Sequence, residues 1–427
     1  NASTGAVYAV GIGNAVMTYT KSASPCSDAT ATITINVTND FLSSGSSSNW
    51  SSTSAWAGGV VPLASGNVTI SHDMTVDANT NTLGTVTVDA SKTLTVGAGN
   101  TITAGGATDI NGILAISGTY DANAAYDADG ATVTIASGGT LLLGSTITEF
   151  GTLTNNGTLH LDGTSAQTIP GSTSKAAEVL CEEGATFEIS GSNKTCETDG
   201  TDYQIKGNLT FSSAHDIIID NSNSTVLTIY SATTITGSAD DRHIIGASGT
   251  DVSVNYKSTS SDPKELPIGP DGSVRSITID PSAATSTVYT AQYKVGIPSS
   301  ATLDFTNHRC GMPTSSTNVT TINNDYHYDV AASPATSANL TVGFVGLDNV
   351  PADGKGYLLH WDGSEWDELS LVGTSSTTVT GTATSYSPFT QGSSGAALPI
   401  DLLSFNGNCN GDDVELNFTV ASQINND

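Results

Sequence analysis

The sequence predicts an all-β chain, a parallel β-helix (solenoid) with a following β-sandwich and partial sandwich strands at both ends. Three observations predict it. Between about residues 63 and 250, short aliphatic/threonine alternations, each ended by Gly, Asn or Asp, recur about ten times. After about residue 251 the strand candidates lengthen, aromatic residues appear and proline marks the turns. At each end stand a few alternating strands, too few to bury an apolar face by themselves.

Composition narrows the function classes. The 427 residues allow more than one core. Acidic residues number 41 against 12 basic ones, a formal charge of -29, which argues against nucleic acid or an anionic membrane as partner. Only 12% of residues are charged, so Thr, Ser, Asn and Gly supply most of the polarity, as suits turns and solvated strand faces. No stretch approaches the roughly 20 apolar residues that span a bilayer. The first residue is Asn1, with no charged-then-apolar signal segment, which suggests a processed or partial chain.

Residues 1–40 hold three strand candidates, "AVYAV" (Ala6 to Val10), "AVMTYT" (Ala15 to Thr20) and "ATITINV" (Ala31 to Val37). Val7, Val10, Ile33 and Ile35 are their alternating apolar members, and Gly11, Gly13, Pro25 and Asp28 mark the turns. Three strands suggest the closing half of an immunoglobulin-like sandwich, which needs about seven. Residues 41–62 are Ser/Gly-rich and carry Trp50 and Trp56, either a linker whose indoles cap the next domain or a pair that stacks on carbohydrate.

Residues 63–250 are the most regular part. In "TVTV", Val86 and Val88 share one face while Thr85 and Thr87 share the other. Such short strands, separated by tight turns, suit coils that stack and bury an aliphatic interior. At roughly 20 residues and about 4.8 Å per coil, the region makes about nine coils and a rod some 40–45 Å long. The competing architecture is an antiparallel sandwich. Residues 251–392, with "STVYTAQYKVGI" and "ANLTVGFVGL", suit an antiparallel sandwich. Residues 393–427 are a linker followed by strand, Gly/Asn/Asp turn and strand, with Val414, Leu416, Phe418 and Val420 alternating against polar residues.

Four stretches carry a resemblance: "ELPIGPDGSVRSITID" (Glu265 to Asp280), "YLLHWDGSEWDEL" (Tyr357 to Leu369), "TATSYSPFTQGS" (Thr382 to Ser393) and "ALPIDLLSFNGNCNGDDVELNFTVASQINND" (Ala397 to Asp427). In that order they resemble surface proteins exported by the bacterial type IX secretion system, in which a β-helix-like stalk and a sandwich precede an LP-(I/V)-(E/D)-LLSF segment that leads into a C-terminal sorting domain. The resemblance is specific over roughly the last 170 residues and generic for the solenoid. It implies an exported protein at the outer surface of a Gram-negative bacterium, or released from it. The chain departs from that pattern by stopping at Asp427, where the family's text runs on through a β-domain.

Incomplete strand sets at both ends suggest that each completes the other between neighbouring molecules, since strand donation along an exposed edge that does not close makes a filament. The expected assembly residues are Val7, Val10, Ile33 and Ile35 at the front and Val414, Leu416, Phe418 and Val420 at the back. Five cysteines leave at least one thiol unpaired within the chain. Cys181 and Cys196 are the intrachain disulfide candidates, the competing expectation being two separate buried thiols. Cys26 and Cys409 are either an intersubunit disulfide or unrelated turn cysteines.

Chemistry is sparse. Asp240-Asp241-Arg242-His243 is the one cluster like the paired aspartates of β-helix glycosidases, and it lacks the further His and the basic motif those enzymes use, so a charged turn is expected. The seven histidines show no metal-ligand spacing, and no Gly-x-Ser-x-Gly, phosphate loop or dinucleotide fingerprint occurs. The chain is therefore expected not to be an enzyme. Calcium is the one cofactor candidate, because "YDANAAYDADG" sets Asp121, Asp127 and Asp129 on a Gly-ended loop, half of a calcium loop without its distal Glu. Trp361 and Trp366 flank an Asp-Gly turn, either as a glycan-stacking platform or as sandwich packing. The expected function is a non-catalytic structural rod that polymerises head to tail with copies of itself. Its competitors are a surface adhesin or glycan-binding stalk and, less favoured, a polysaccharide-degrading enzyme.

Overall fold

The structure is a computed structural model, and it describes residues 13–22, 28–45, 47–171, 177–249, 251–297, 321–343, 356–363, 366–369, 371–374, 377–393, 402–410 and 413–420. Strand makes up 54% of it and helix 2%, and a parallel β-solenoid of about nine turns is followed by a sheet-rich region. Each coil contributes one short strand to each of three walls. The first wall has six parallel strands, from Asp40–Leu42 and Asn67–Ile70 to Ile147–Glu149. The second has five, from Met74–Val76 to Thr152–Asn155, and the third eight, from Thr82–Leu83 to Thr234–Thr236.

Period two explains why these sequences fold this way. Along the second wall, Leu94, Leu114 and Val133 stand in register and point inward, each fully buried. Along the third, Ile102, Tyr120, Leu141, Leu159, Phe187 and Leu209 form one interior column across six successive coils. Each such side chain contributes about 1.5–3 kcal/mol through burial. The Thr positions between them face outward, where β-branched residues suit the pleat at no burial cost.

The stack starts earlier than its sequence texture. Phe41 and Leu42 already pair in parallel with Val68 and Thr69, so the expected linker over 41–62 is in part a further coil. Trp50 and Trp56 close that end, each 2% exposed, edge to face at 4.7 Å, and the Trp56 Nε1 donates to the Trp50 carbonyl at 2.8 Å. Both indoles are spent on packing.

The first two walls end at Glu149 and Asn155, and two new sheets take over their role, one from Gln167–Ile169 to Ile268–Gly269, the other opening with Ala177–Cys181. The third wall runs through without interruption. Side chains bridge the break. Asn155, fully buried, donates through Nδ2 to the Leu180 and Thr186 carbonyls and accepts from the Gly157 amide. Gln167 likewise donates to the Leu143 and Ser145 carbonyls and accepts from the Gly163 amide. These contacts replace ladder bonds that the backbone no longer makes, which is why two amides sit inside an aliphatic stack.

The expected division at residues 250/251 is not a break. Val252–Ser258 pairs in parallel with Val226–Tyr230 of the solenoid and antiparallel with Thr287–Val295 of the following region. The resulting ten-stranded sheet is parallel at one end and antiparallel at the other, and a five-stranded antiparallel sheet, Lys264–Leu266 to Leu371–Thr374, accompanies it. Tyr256, Tyr289, Leu340, Val379 and Phe389 belong to the same buried cluster as the solenoid interior. At either end of the chain lies a two-stranded antiparallel sheet, Gly13–Lys21 with Ala29–Val37 and Leu402–Asn410 with Asp413–Val420.

Candidate functional site

Several expected sites are packing instead. Cys181 and Cys196 are both buried free thiols, not a disulfide. They end strands of two different sheets, and burial pushes their thiols up to about 11 and about 12, so neither is poised to react. Trp361 and Trp366 face each other across two antiparallel strands, 5% and 3% exposed, within a small cluster with Ile322, Tyr357 and Leu359. A stacking platform needs an open ring face, and these rings have none to offer.

The calcium expectation also fails. Asp121 stands on the third wall, Asp127 on the first, and Asp129 in the turn that follows, where its amide donates to Asp127 Oδ1. No group of three or more His, Cys, Asp or Glu side chains among the described residues is placed to hold a metal. The spacing in sequence suggested one loop, but the chain crosses a corner between Asp121 and Asp127. Of the other candidates, Val7, Val10 and Cys26 lie outside the described residues. For Cys409 only the backbone is described, so the Cys26–Cys409 pairing lies outside them too.

Asp240 to His243 form a turn that ties the solenoid to the next region. Asp240 Oδ1 accepts from the Val274 amide, Arg242 pairs with Asp241 at 3.1 Å, and the fully buried His243 reaches the Pro270 carbonyl through Nε2 at 2.9 Å. Asp216, behind it, accepts from the His243 amide. Asp240, His243 and Asp216 each bond backbone, Arg242 pairs with its neighbour Asp241, and the cluster is structural.

Sequence inspection missed two buried charges. Lys194 lies inside the solenoid, its Nζ donating to the Gly163 carbonyl and Ser192 Oγ, and burial lowers its pKa to about 8. Glu178 is 8% exposed, and burial followed by the charge of Glu149 pushes its carboxyl up to about 7. Asp129, Asp127 and Glu197 in turn raise Glu149, though less than burial does. None of the three cavities described, of about 340, 350 and 260 Å³, is lined by Glu149 or Glu178. The sequence "AAEVLC" sets Ala177, Val179 and Cys181 on one face and so pointed Glu178 outward, whereas the strand turns Glu178 and Leu180 inward.

Glu178 sets a pH dependence. Its folded value lies above the ordinary 4.5, so the fold favours the neutral acid, and the associated stability is present in full below about pH 4.5 and lost as pH rises through about 7. We expect the chain to be more stable at pH 5 than at pH 7.5 by roughly 2–3 kcal/mol from this group. Thermal melts of the wild type and Glu178→Gln isolate it from the general repulsion of a chain at -29. An equal pH slope in the two proteins refutes the assignment.

Each terminal hairpin has one apolar register face. In the first, Ala15, Met17 and Tyr19 stand opposite Ile35, Ile33 and Ala31, while Val16, Thr18 and Thr20 stand opposite Thr34, Thr32 and Thr30. One face is thus apolar and the other mostly threonine. Tyr19 is 68% and Ile33 64% exposed. In the second, register pairs Phe405 with Phe418, Gly407 with Leu416 and Cys409 with Val414, alternating with Asn406–Asn417 and Asn408–Glu415. Neither hairpin pairs with another strand among the described residues.

The architecture as a whole is a β-solenoid rod, of a kind suited to a structural or adhesive role. No helix among the described residues is long and apolar enough to cross a membrane. Comparison with known protein families, curated proteins and solved structures finds no match.

Proposed function

We propose that the protein is a non-catalytic structural rod of the bacterial surface, exported by the type IX route, whose molecules join head to tail through their terminal hairpins. The carrying observation is the pair of two-stranded sheets, each with one apolar register face and no further strand beside it among the described residues. A lone hairpin is marginal in water, and an open edge with an exposed apolar face is an aggregation hazard unless something covers it. Two such hairpins brought face to face make a four-stranded unit that buries both faces, and a contact between unlike ends propagates. The solenoid between them acts as a rigid spacer. The sequence resemblance over the last 170 residues or so supports export and a surface location.

Electron microscopy of the full chain tests this. Fibres whose axial repeat matches one molecule are expected, and Ile33→Asp should abolish them while leaving the melting transition of the solenoid within about 1 °C, because the residue is exposed. Single rods at every protein concentration, or fibres indifferent to Ile33→Asp, overturn the proposal.

A further inference from the structure

A cavity of about 350 Å³ opens beside the solenoid junction, and the stretch Glu265 to Asp280 builds one side of it through Glu265, Val274, Arg275, Ser276 and Thr278. Tyr326 and Tyr328 line it too, with Thr341 beside Thr278 on the neighbouring strand. The volume falls at the lower end of what small-ligand sites occupy, about 300–1,000 Å³.

The turn that carries Arg275 is held from both sides. The Arg275 amide donates to the Ile268 carbonyl at 2.7 Å, the Val274 amide to Asp240 at 3.0 Å, and Tyr328 Oη donates to the Arg275 carbonyl at 2.8 Å. Gly269 is required for this closeness, since a Cβ there would fall on the Ser273 carbonyl oxygen and 2.8 Å from the Arg275 amide nitrogen. So much fixed backbone pre-positions a side chain, and that side chain is a guanidinium. It lies over the Tyr326 ring at 5.7 Å, and Nη1 donates to the Val274 carbonyl at 3.2 Å. Arg275 pairs with no carboxylate among the described residues, in a chain where acids outnumber bases more than threefold. A guanidinium carries five donors, and one bond to a carbonyl leaves most of the fork unspent.

We infer that this cavity binds a single carboxylate-bearing sugar residue, a uronate, with Arg275 clamping the carboxylate and the hydroxyl-rich wall taking the ring hydroxyls. A carboxylate matches the guanidinium fork, and charge-assisted bonds of that kind are the strong ones. Ser276 and Thr278 offer hydroxyls that donate and accept, as sugar hydroxyls require, and Thr341, bonded to the Thr380 hydroxyl at 2.7 Å, keeps acceptor capacity. Glu265, exposed at the rim, serves as an acceptor for sugar hydroxyls and disfavours a second acidic residue beside the first. The surface charge of -29 works the same way, so the site takes one terminal uronate rather than a length of polyuronate.

Titration of the full chain with methyl glucuronide, methyl glucoside and acetylglycine, followed by calorimetry, tests the inference. Methyl glucuronide should bind at least tenfold more tightly than either of the others, and Arg275→Gln should weaken it by tenfold or more, the equivalent of about 1.4 kcal/mol. Should Arg275→Gln fail to fold, Ser276→Leu narrows the cavity and is expected to give the same loss. Equal binding of glucuronide and glucoside, tighter binding of acetylglycine, unchanged affinity in the folded variant, or no wild-type binding at all each overturns it.

Discussion

Gly157→Ala should destabilise the middle of the solenoid, with an expected loss of about 3 kcal/mol. Gly157 sits where the chain turns from the second wall to the third, buried under the preceding coil. A Cβ there would fall on the carbonyl oxygens of Gly139 and Ala136 and 2.8 Å from the Ile135 side chain. Those carbonyls cannot retreat, because Gly139 O accepts from the Thr158 amide. The same corner holds Asn155 against the Gly157 amide, so a shift there also strips a buried amide of its partner. The comparison is Gly130→Ala, at φ +68 with open space around it, where left-handed backbone strain alone applies and about 1–2 kcal/mol is expected. Chemical denaturation of the two variants distinguishes a close approach from a strained turn. Equal losses would mean that the coils can slide apart.

Trp56→Ala should be as costly but local. Truncating a buried Trp typically costs 3–5 kcal/mol. Here it removes the edge-to-face partner of Trp50 and the bond to the Trp50 carbonyl. Stacked coils contact only their neighbours, so the loss should fall on the first coils and leave the rest folded. Hydrogen exchange is the readout, with protection lost over Asn67–Ile70 and Met74–Val76 and retained over Asn208–Phe211. Uniform loss along the stack would show that the solenoid melts as one unit.

What was legible in the sequence follows from period two. Alternation such as "TLTV" states which residues face inward, and Leu94 and Val96 do. It does not state which wall a strand joins, because the three walls share one texture. That is why Cys181 and Cys196 looked like partners and Asp121 and Asp127 looked like one loop. Lys194, Asn155 and Gln167 were invisible for a related cause. Asn suits turns and Lys and Gln suit solvated faces, and only the break in two walls creates backbone groups for them to satisfy. Trp361 and Trp366 lay beside an Asp-Gly turn, which places them across a hairpin without saying which face is covered. Of the cavity at Arg275, the sequence offered no sign that its backbone would be held by Asp240 and Tyr328.

The strand Val252–Ser258, common to solenoid and sandwich, has a mechanical meaning. Backbone hydrogen bonds between coils run along the rod, and each coil is joined to the next through three walls, so an axial pull loads many bonds at once. Because Val252–Ser258 is bonded to Val226–Tyr230 on one side and to Thr287–Val295 on the other, the same kind of bond carries tension out of the stack and into the sandwich. Force passes this junction without a linker to stretch, so the weakest element under load is to be sought elsewhere in the chain.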